Sequence, residues 1–275
     1  MKKITLYQSL FLIPCSVMIF SCGNSTVKND AKTDSDTTKV DTVAAPAITV
    51  TPITDSPEFP GATLKLESVN SEKVGTDSAK IHFKYDVLDY KLSDMTAHQN
   101  SEHMANSKDG QHIHFILDNQ PYTALYKPEN TITLPLNSEH YLLSFLSRSY
   151  HESIKTPEAS KLIKFKVDPD GKVVSEDVPQ TPALFYSRPK GEYKGDDTKT
   201  VLLDFFIANT TLSPTGNKVI ADINGSKFTI DKWVPYEIKG LPMGESTIIL
   251  SLVDKDGNAL TGDNVTIERK ITLSE

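Results

Sequence analysis

The chain has 275 residues, enough for one large domain or two small ones. It carries 36 acidic and 29 basic side chains, for a formal charge of −7. This acidic balance argues against a general nucleic-acid-binding protein, which needs a basic face. The chain contains no GxSxG, HExxH, CxxC or phosphate-loop motif, so we expect a protein that is not an enzyme.

The N-terminus resembles a bacterial lipoprotein signal peptide. Two lysines precede an apolar stretch at residues 10–20, and a small residue stands directly before Cys22. The stretch is shorter than the roughly 20 apolar residues that span a membrane. The resemblance implies a signal peptide at 1–21 and a lipid on Cys22. We therefore expect membrane attachment in the cell envelope, at the outer membrane, facing the periplasm or the cell surface.

A polar segment follows the lipid site. Residues 22–60 are rich in Ser, Thr, Asp, Lys, Val and Pro, and only the short stretch AITVTPI has any strand character. This composition predicts a disordered, flexible tether. Beyond it we predict a first domain at 61–168, a linker at 169–181 and a second domain at 182–275.

An internal duplication supports the two domains. Three segments of the first half align with the second half, 77–94 with 197–214, 110–126 with 216–232, and 134–148 with 241–255. The offset falls from 120 to 106 and 107. The first copy therefore carries an insertion near residues 95–108.

Short alternating segments separated by Gly, Asn, Asp and Pro turns predict seven strands in each copy. In the first copy they lie near 62–69, 79–90, 111–118, 121–126, 130–134, 139–147 and 161–167. In the second they lie near 183–187, 199–209, 217–223, 226–231, 235–238, 245–253 and 264–273. This pattern favours an all-β chain of two tandem Ig-like or fibronectin-like β-sandwich domains. Another two-sheet Greek key is the alternative.

The histidines are confined to one copy. All seven lie between residues 82 and 151, and the second copy has none, so the fold does not require them. His112 and His114 alternate with Ile113 and Phe115, which places both imidazoles on the face opposite the core. The alignment with the second copy also predicts that His82 and His140 face outward.

Sandwich connectivity places several of these side chains at one end of the first domain. The start of the third strand, the insertion and the loop after the sixth strand should meet there. The candidate metal ligands at this end are His98, Glu102, His103, His112, His114 and His151. Imidazole is a common ligand of zinc and copper, and the thioethers of Met95 and Met104 would suit copper(I). The alternative is that the two histidines of the third strand simply face water.

The sequence also offers residues for an anion-binding site and for a nucleophile–base pair. Arg148, Arg188 and Lys190 could hold a phosphate or another anionic group, such as an anionic peptide. Ser147 and His151 could form a nucleophile–base pair, but no oxyanion hole is apparent. We therefore expect a protein that binds a ligand rather than one that catalyses hydrolysis.

Several phrases resemble a family of Bacteroidota-type lipoproteins labelled phosphopeptide-binding proteins. They are GQHIHFILDN, FLSRSYHESIK, LDFFIANTTLSPTGNKV, LFYSRPKGEYKG and KWVPYEIKGLPMGE. The resemblance implies an envelope protein that binds an anionic ligand.

The first copy is also similar to an uncharacterised His-rich bacterial periplasmic domain. The matching positions are Gly110, His112, His114, Asp118, Leu134, His140 and His151. Gln111 stands where that domain has a further histidine. The combined expectation is a non-enzymatic, lipid-anchored protein that binds zinc or copper, with an anionic ligand or a purely structural or adhesive role as alternatives.

Overall fold

The computed structural model describes residues 47–262 and 264–275, which contain seventeen strands. In the first half these are β1 (Thr49–Pro52), β2 (Thr63–Val74), β3 (Ser78–Leu88), β4 (His112–Leu117), β5 (Thr123–Leu125), β6 (Glu129–Pro135), β7 (Ser138–Ser147), β8 (Ser160–Val167) and β9 (Val173–Glu176). In the second half they are β10 (Ala183–Arg188), β11 (Gly191–Lys194), β12 (Val201–Ala208), β13 (Lys218–Ile223), β14 (Ser226–Ile230), β15 (Tyr236–Lys239), β16 (Gly244–Val253) and β17 (Thr266–Ser274). A short helix, α1, spans Asn100–His103, and 3₁₀ turns lie at Pro157–Ala159 and Gly195–Thr198.

Each of the fourteen predicted strands overlaps an observed strand. The turns between them carry the residues that tight turns need. Asn224 and Gly225, between β13 and β14, both have positive φ, at 51° and 87°. Asp118 and Asn119 take the same conformation after β4, at 49° and 56°. The two copies therefore share a turn as well as strands.

The first sandwich packs two antiparallel sheets face to face. One has the strand order β2-β3-β6, and the other has the order β5-β4-β7-β8-β9. Alternate residues of these strands fill its core, among them Ile81, Phe83, Ile113, Phe115 and Phe165. The strand period of two explains this selection, because every second side chain points inward.

The second sandwich repeats the arrangement, with β1 and β11 as additional edge strands. Its sheets have the orders β1-β15-β12-β10 and β11-β17-β16-β13-β14. The chain leaves β10 at Pro189 and crosses to the other sheet, where β11 pairs in parallel with β17. The fold is thus all-β, with two Ig-like or fibronectin-like sandwiches, as the sequence predicts.

The two sandwiches pack against each other through the outer faces of two central sheets. Apolar side chains of β4 and β7 that point away from the first core meet apolar side chains of β10 and β12 that point away from the second. Buried polar side chains share these faces, namely His112, His114, Ser187 and Asp204. The side chains of this shared layer are Ile116, Tyr122, Leu143, Phe145, Phe185 and Phe206. All described residues belong to one compact unit, Ala44–Glu275. The four sheets therefore form one continuous stack.

The predicted tether and the predicted linker each contain a short strand. β1 lies inside the predicted tether and pairs with β15, with Val50 opposite Ile238. β9 lies inside the predicted linker and extends the first sandwich by pairing with β8. Edge strands of four residues give little sequence signal, and both gain their hydrogen bonds from a neighbour that is distant in the sequence or belongs to an established sheet. The predicted signal peptide and Cys22 lie outside the described residues.

The alignment of the sixth strands is wrong by one residue. Ile113 pairs with Leu146, and Val219, its counterpart in the second copy, pairs with Leu252. The third and sixth strands of the two copies are therefore related by the same offset of 106 residues. The offset of 107 that the sequence alignment assigns to the sixth strand is one residue too large. A one-residue slip exchanges the two faces of a strand. Hence Leu143 and Phe145 point out of the first core, and His140 points toward it, where it is 8 % exposed.

No helix among the described residues has the length and apolarity needed to cross a membrane.

Candidate functional site

Two histidines reach the candidate site from β4. Ile113 and Phe115 enter the first core, so the alternation of the strand sends His112 and His114 to the opposite face. The alternative interpretation, that this pair simply faces water, is wrong. The second sandwich covers it, and both imidazoles have 0 % exposure.

Three imidazole nitrogens converge there. Nε2 of His112 lies 3.0 Å from Nε2 of His114 and 3.1 Å from Nδ1 of His151. The three potential ligand atoms all lie within 4.8 Å of one another. On a tetrahedral zinc ion with bonds of about 2.0–2.1 Å, ligand nitrogens stand roughly 3.3 Å apart. The cluster therefore approaches the spacing of a three-histidine metal site.

His151 joins the cluster from the loop between β7 and β8. Its backbone has a φ of 71°, a left-handed conformation that histidine tolerates better than most residues. The residue is partly exposed, whereas the two imidazoles of β4 are fully buried. The insertion borders the same loop, because the amide of Ser107 donates to the carbonyl of Ser149 at 2.9 Å. The insertion, the loop and β4 thus meet as predicted.

Hydrogen bonds on the far sides of two rings set which nitrogens face the cluster. Nδ1 of His112 lies 2.8 Å from the carbonyl oxygen of Gly110, which can only accept. Nδ1 therefore carries the hydrogen, and Nε2 of the neutral ring presents a lone pair to the cluster. Nδ1 of His114 lies 3.0 Å from Oγ of Ser187, which can accept in the same way. When Nδ1 of His114 donates to this hydroxyl, the Nε2 lone pairs of both rings face each other, and a shared cation would relieve their repulsion.

Gly110 holds its carbonyl in a place that only glycine can occupy. Its φ is 80°, and a Cβ there would lie 2.5 Å from the carbonyl oxygen of Ser93 and 2.6 Å from that of Asp94. Any side chain would push the strand start away from this turn. The close approach fixes the acceptor that orients His112.

Aromatic and cationic side chains cover the cluster. Tyr122 stacks on His114 with ring centroids 3.5 Å apart, and its hydroxyl oxygen lies 3.0 Å from Nδ1 of His151. Over the same tyrosine ring lie the guanidinium carbon of Arg188, 5.4 Å from the centroid, and Nζ of Lys190, 3.6 Å from it. Both cations come from the second sandwich. The site is therefore shared between the two sandwiches.

Burial keeps the three imidazoles neutral. Desolvation lowers the pKa of His112 to about 4, although the carbonyl of Gly110 acts in the opposite direction. Desolvation, followed by neighbouring positive charges, also lowers the pKa of His114 and of His151 well below the ordinary value. The same two causes lower the pKa of Lys190 to about 8. Neutral imidazole is the form that binds metals, so protons compete weakly at neutral pH.

The other predicted ligands do not join the three-imidazole cluster. Nε2 of His98 lies 3.8 Å from a carboxylate oxygen of Asp55, and its Nδ1 accepts from the amide of Asn100 at 3.3 Å. Glu102 and His103 border a cavity of about 470 Å³ together with acidic side chains of the second sandwich. The insertion extends toward that sandwich, which carries these three side chains away from β4.

The two thioethers are also elsewhere. Met95 is 53 % exposed, and Met104 packs with Ile53 and Leu202. Neither therefore supports the copper(I) argument, and the ligand set of the cluster is imidazole alone.

Arg148 is neutralised within the fold. Its Nη1 lies 2.8 Å from a carboxylate oxygen of Glu152 and donates to the carbonyl of Ser153 at 3.0 Å. Its remaining donors go to the carbonyl of Pro57. Four of its five N–H groups thus have partners, and Glu152 supplies the counter-charge. The predicted set of three cations therefore reduces to Arg188 and Lys190.

Tyr122 and Ser187 contact the imidazoles but are not among the predicted site residues. Ser187 and Arg188 end the apolar run of β10, ALFYSR, and both are nearly fully buried. Polar residues at the end of a buried strand are the signal that could have found them. Tyr122 follows a turn and gives no comparable signal.

No family model matches the chain, and no curated protein sequence matches it. Solved structures similar to it include three with low TM-scores. The fibronectin(III)-like modules of CbhA from Clostridium thermocellum are 13 % identical, with a TM-score of 0.25 over 77 % of this chain and 94 % of that one.

The extracellular domain of a putative hybrid two-component system from B. thetaiotaomicron is 9 % identical, with a TM-score of 0.27 over 77 % of this chain and 33 % of that one. Two tandem V-type regions of a v-region-containing chitin-binding protein are 8 % identical, with a TM-score of 0.22 over 78 % of this chain and 99 % of that one.

Proposed function

We propose that the protein is a lipid-anchored envelope protein that binds a transition-metal ion, zinc or copper(II), through His112, His114 and His151. The observation that supports this most is the convergence of three imidazole nitrogens within 4.8 Å. Both metals are ligated by neutral imidazole. Three protein ligands would leave a fourth position for water or another ligand.

The surroundings favour an ion over an empty cluster. His112 presents a lone pair to two other ring nitrogens at 3.0 and 3.1 Å, and at most one of them can donate well to it. The outer hydrogen bonds to Gly110 and Ser187 fix two ring orientations, which is what supporting hydrogen bonds do at metal sites. Both rings lie on a strand buried between two sheets, so the ligands are held in place before the ion arrives.

The double substitution His112→Ala/His114→Ala should lower the affinity for Zn²⁺ and Cu²⁺ by about 100-fold or more, because it removes two of three ligands. The measurement is competition with a chromophoric chelator, on the full chain in detergent after EDTA treatment. His103→Ala is the matched control, since it removes a histidine outside the cluster. We expect it to leave the affinity unchanged.

Equal affinities in wild type and double variant would contradict the metal site. A purely structural or adhesive role would then be the better proposal, since the all-β fold needs no ligand. His112→Gln/His114→Gln serves as a second variant, because glutamine fills more of the buried space than alanine does. Urea unfolding of each variant shows whether lost affinity reflects lost ligands or lost structure.

We also propose that Cys22 carries the lipid that anchors the protein. Cys22→Ser should move the protein from the membrane fraction to the soluble fraction, because it removes the thiol that would carry the anchoring lipid. Cell fractionation followed by immunoblotting measures this. Cys15→Ser, the other cysteine of the chain, is the control and should stay membrane-bound. Firm membrane attachment of Cys22→Ser would count against the anchor.

A further inference from the structure

We infer that the metal ion of this cluster carries a small oxyanion, of the phosphate or carbonate type, whose counter-charges are Arg188 and Lys190. The inference rests on the proposed metal site and names the ligand of its open position. It starts from an imbalance of charge beside the three imidazoles.

Two other largely buried cations each have a carboxylate partner, at 2.8 Å for Arg148 and 2.9 Å for Lys155. No carboxylate of the described residues lies within 4.0 Å of Arg188 or Lys190. Asp204, the cross-strand neighbour of Arg188, is already bound to Lys155. Two positive charges thus stand over the Tyr122 ring without a matching negative charge.

The guanidinium of Arg188 also has an N–H donor without a partner among the described residues. Its Nη1 donates to the hydroxyl of Tyr193 at 3.0 Å, whereas its buried Nε–H meets no acceptor among the described residues. The residue is only 6 % exposed. A buried unpaired donor on a charged group is costly and points to a ligand.

A metal ion alone would worsen this imbalance. The imidazoles are neutral ligands, so a divalent ion adds two charges next to two existing ones. An oxyanion on the fourth coordination position would be attracted by the metal and by both cations. Arginine suits this role because its planar fork matches oxyanion geometry. The enclosure between two sandwiches, with His112, His114 and Ser187 almost fully buried, restricts the ligand to a small anion.

The test is calorimetric titration of inorganic phosphate into the zinc-loaded full chain at constant ionic strength. We expect phosphate to bind, and Lys190→Met to weaken that binding about tenfold or more, the loss of one charge-assisted hydrogen bond. Without phosphate, the zinc affinity of Lys190→Met should rise, because one positive charge near the ion is gone. The opposite signs separate this role from a merely structural one.

Two further variants complete the design. Lys194→Met removes an exposed lysine of β11, paired with Glu192 at 3.4 Å, and should change neither affinity. Arg188→Lys keeps the positive charge but loses the planar guanidinium with its paired N–H donors, and it should also weaken phosphate binding. It is more conservative than a neutral replacement of a buried guanidinium.

The outcomes are distinct. Zinc binding without phosphate binding, or equal phosphate affinity in wild type and Lys190→Met, would overturn this inference and leave the metal site standing. Phosphate binding that is equally tight without zinc would also overturn it, since the anion would then need no metal. A wild type that binds no zinc would overturn the metal site and this inference together.

Discussion

Replacing Lys155 with methionine should lower the free energy of unfolding by roughly 3–5 kcal/mol. Nζ of Lys155, in the first sandwich, donates to Oδ1 of Asp204 and to the carbonyl of Phe205 in the second, both at 2.9 Å. Asp204 is 0 % exposed, and its Oδ2 has no partner among the described residues. Methionine would leave that carboxylate buried without its counter-charge, which is the costly way to break such a pair.

Urea unfolding followed by tryptophan fluorescence measures the loss. Trp233 is the single tryptophan of the chain and lies between the sandwiches, with its ring centroid 5.2 Å from Nζ of Lys155 and 4.7 Å from the Phe206 ring. Lys270→Met is the control. It breaks an exposed pair with Glu245 and should barely move the midpoint.

The double variant Lys155→Met/Asp204→Leu tests the mechanism. If the unpaired carboxylate causes the loss, removing it as well should recover much of the stability, so the two substitutions are not additive. Additive losses would mean that packing around Lys155, against Phe205 and Trp233, matters more than its charge.

The strands were predictable from local sequence because each carries its own alternation and its own turn. β13 is the clearest example, because Val219, Ala221 and Ile223 are buried at alternate positions and an Asn-Gly turn follows the strand. β1, β9 and β11 have four residues each and depend on neighbouring strands of the sheet for their hydrogen bonds. Their pairing is a tertiary event, so the local pattern does not specify it.

The candidate site was predictable only in part, for a similar reason. Strand period two assigns His112 and His114 to one face, whatever that face meets. What it meets depends on the second sandwich, which lies far along the chain. The run VLLDFFIA in β12, buried at almost every position, is typical of a strand covered on both faces. That run predicts a covering layer, but it does not say which histidines the layer covers.

The stability of the metal-free protein should fall as pH drops from about 7 to about 4. The pKa of His112 is about 4 in the folded protein, against about 6.5 in an unfolded chain. Between these values the unfolded chain binds the additional proton, so stability declines as pH decreases. At about 1.4 kcal/mol per pKa unit, His112 alone accounts for roughly 3 kcal/mol below pH 4. His114 and His151, whose pKa values burial also lowers, act in the same direction.

Urea midpoints in EDTA, measured at steps across this range, test the effect against the triple variant His112→Gln/His114→Gln/His151→Gln. Glutamine stays neutral, so the triple variant keeps the titration of every carboxylate and of the other histidines but loses that of the cluster. We expect its pH dependence to be flatter. Parallel curves would mean that the imidazoles take up protons without penalty, which contradicts their desolvation. Saturating zinc should raise the midpoint of the wild type and steepen its curve, because protons then displace the ion as well.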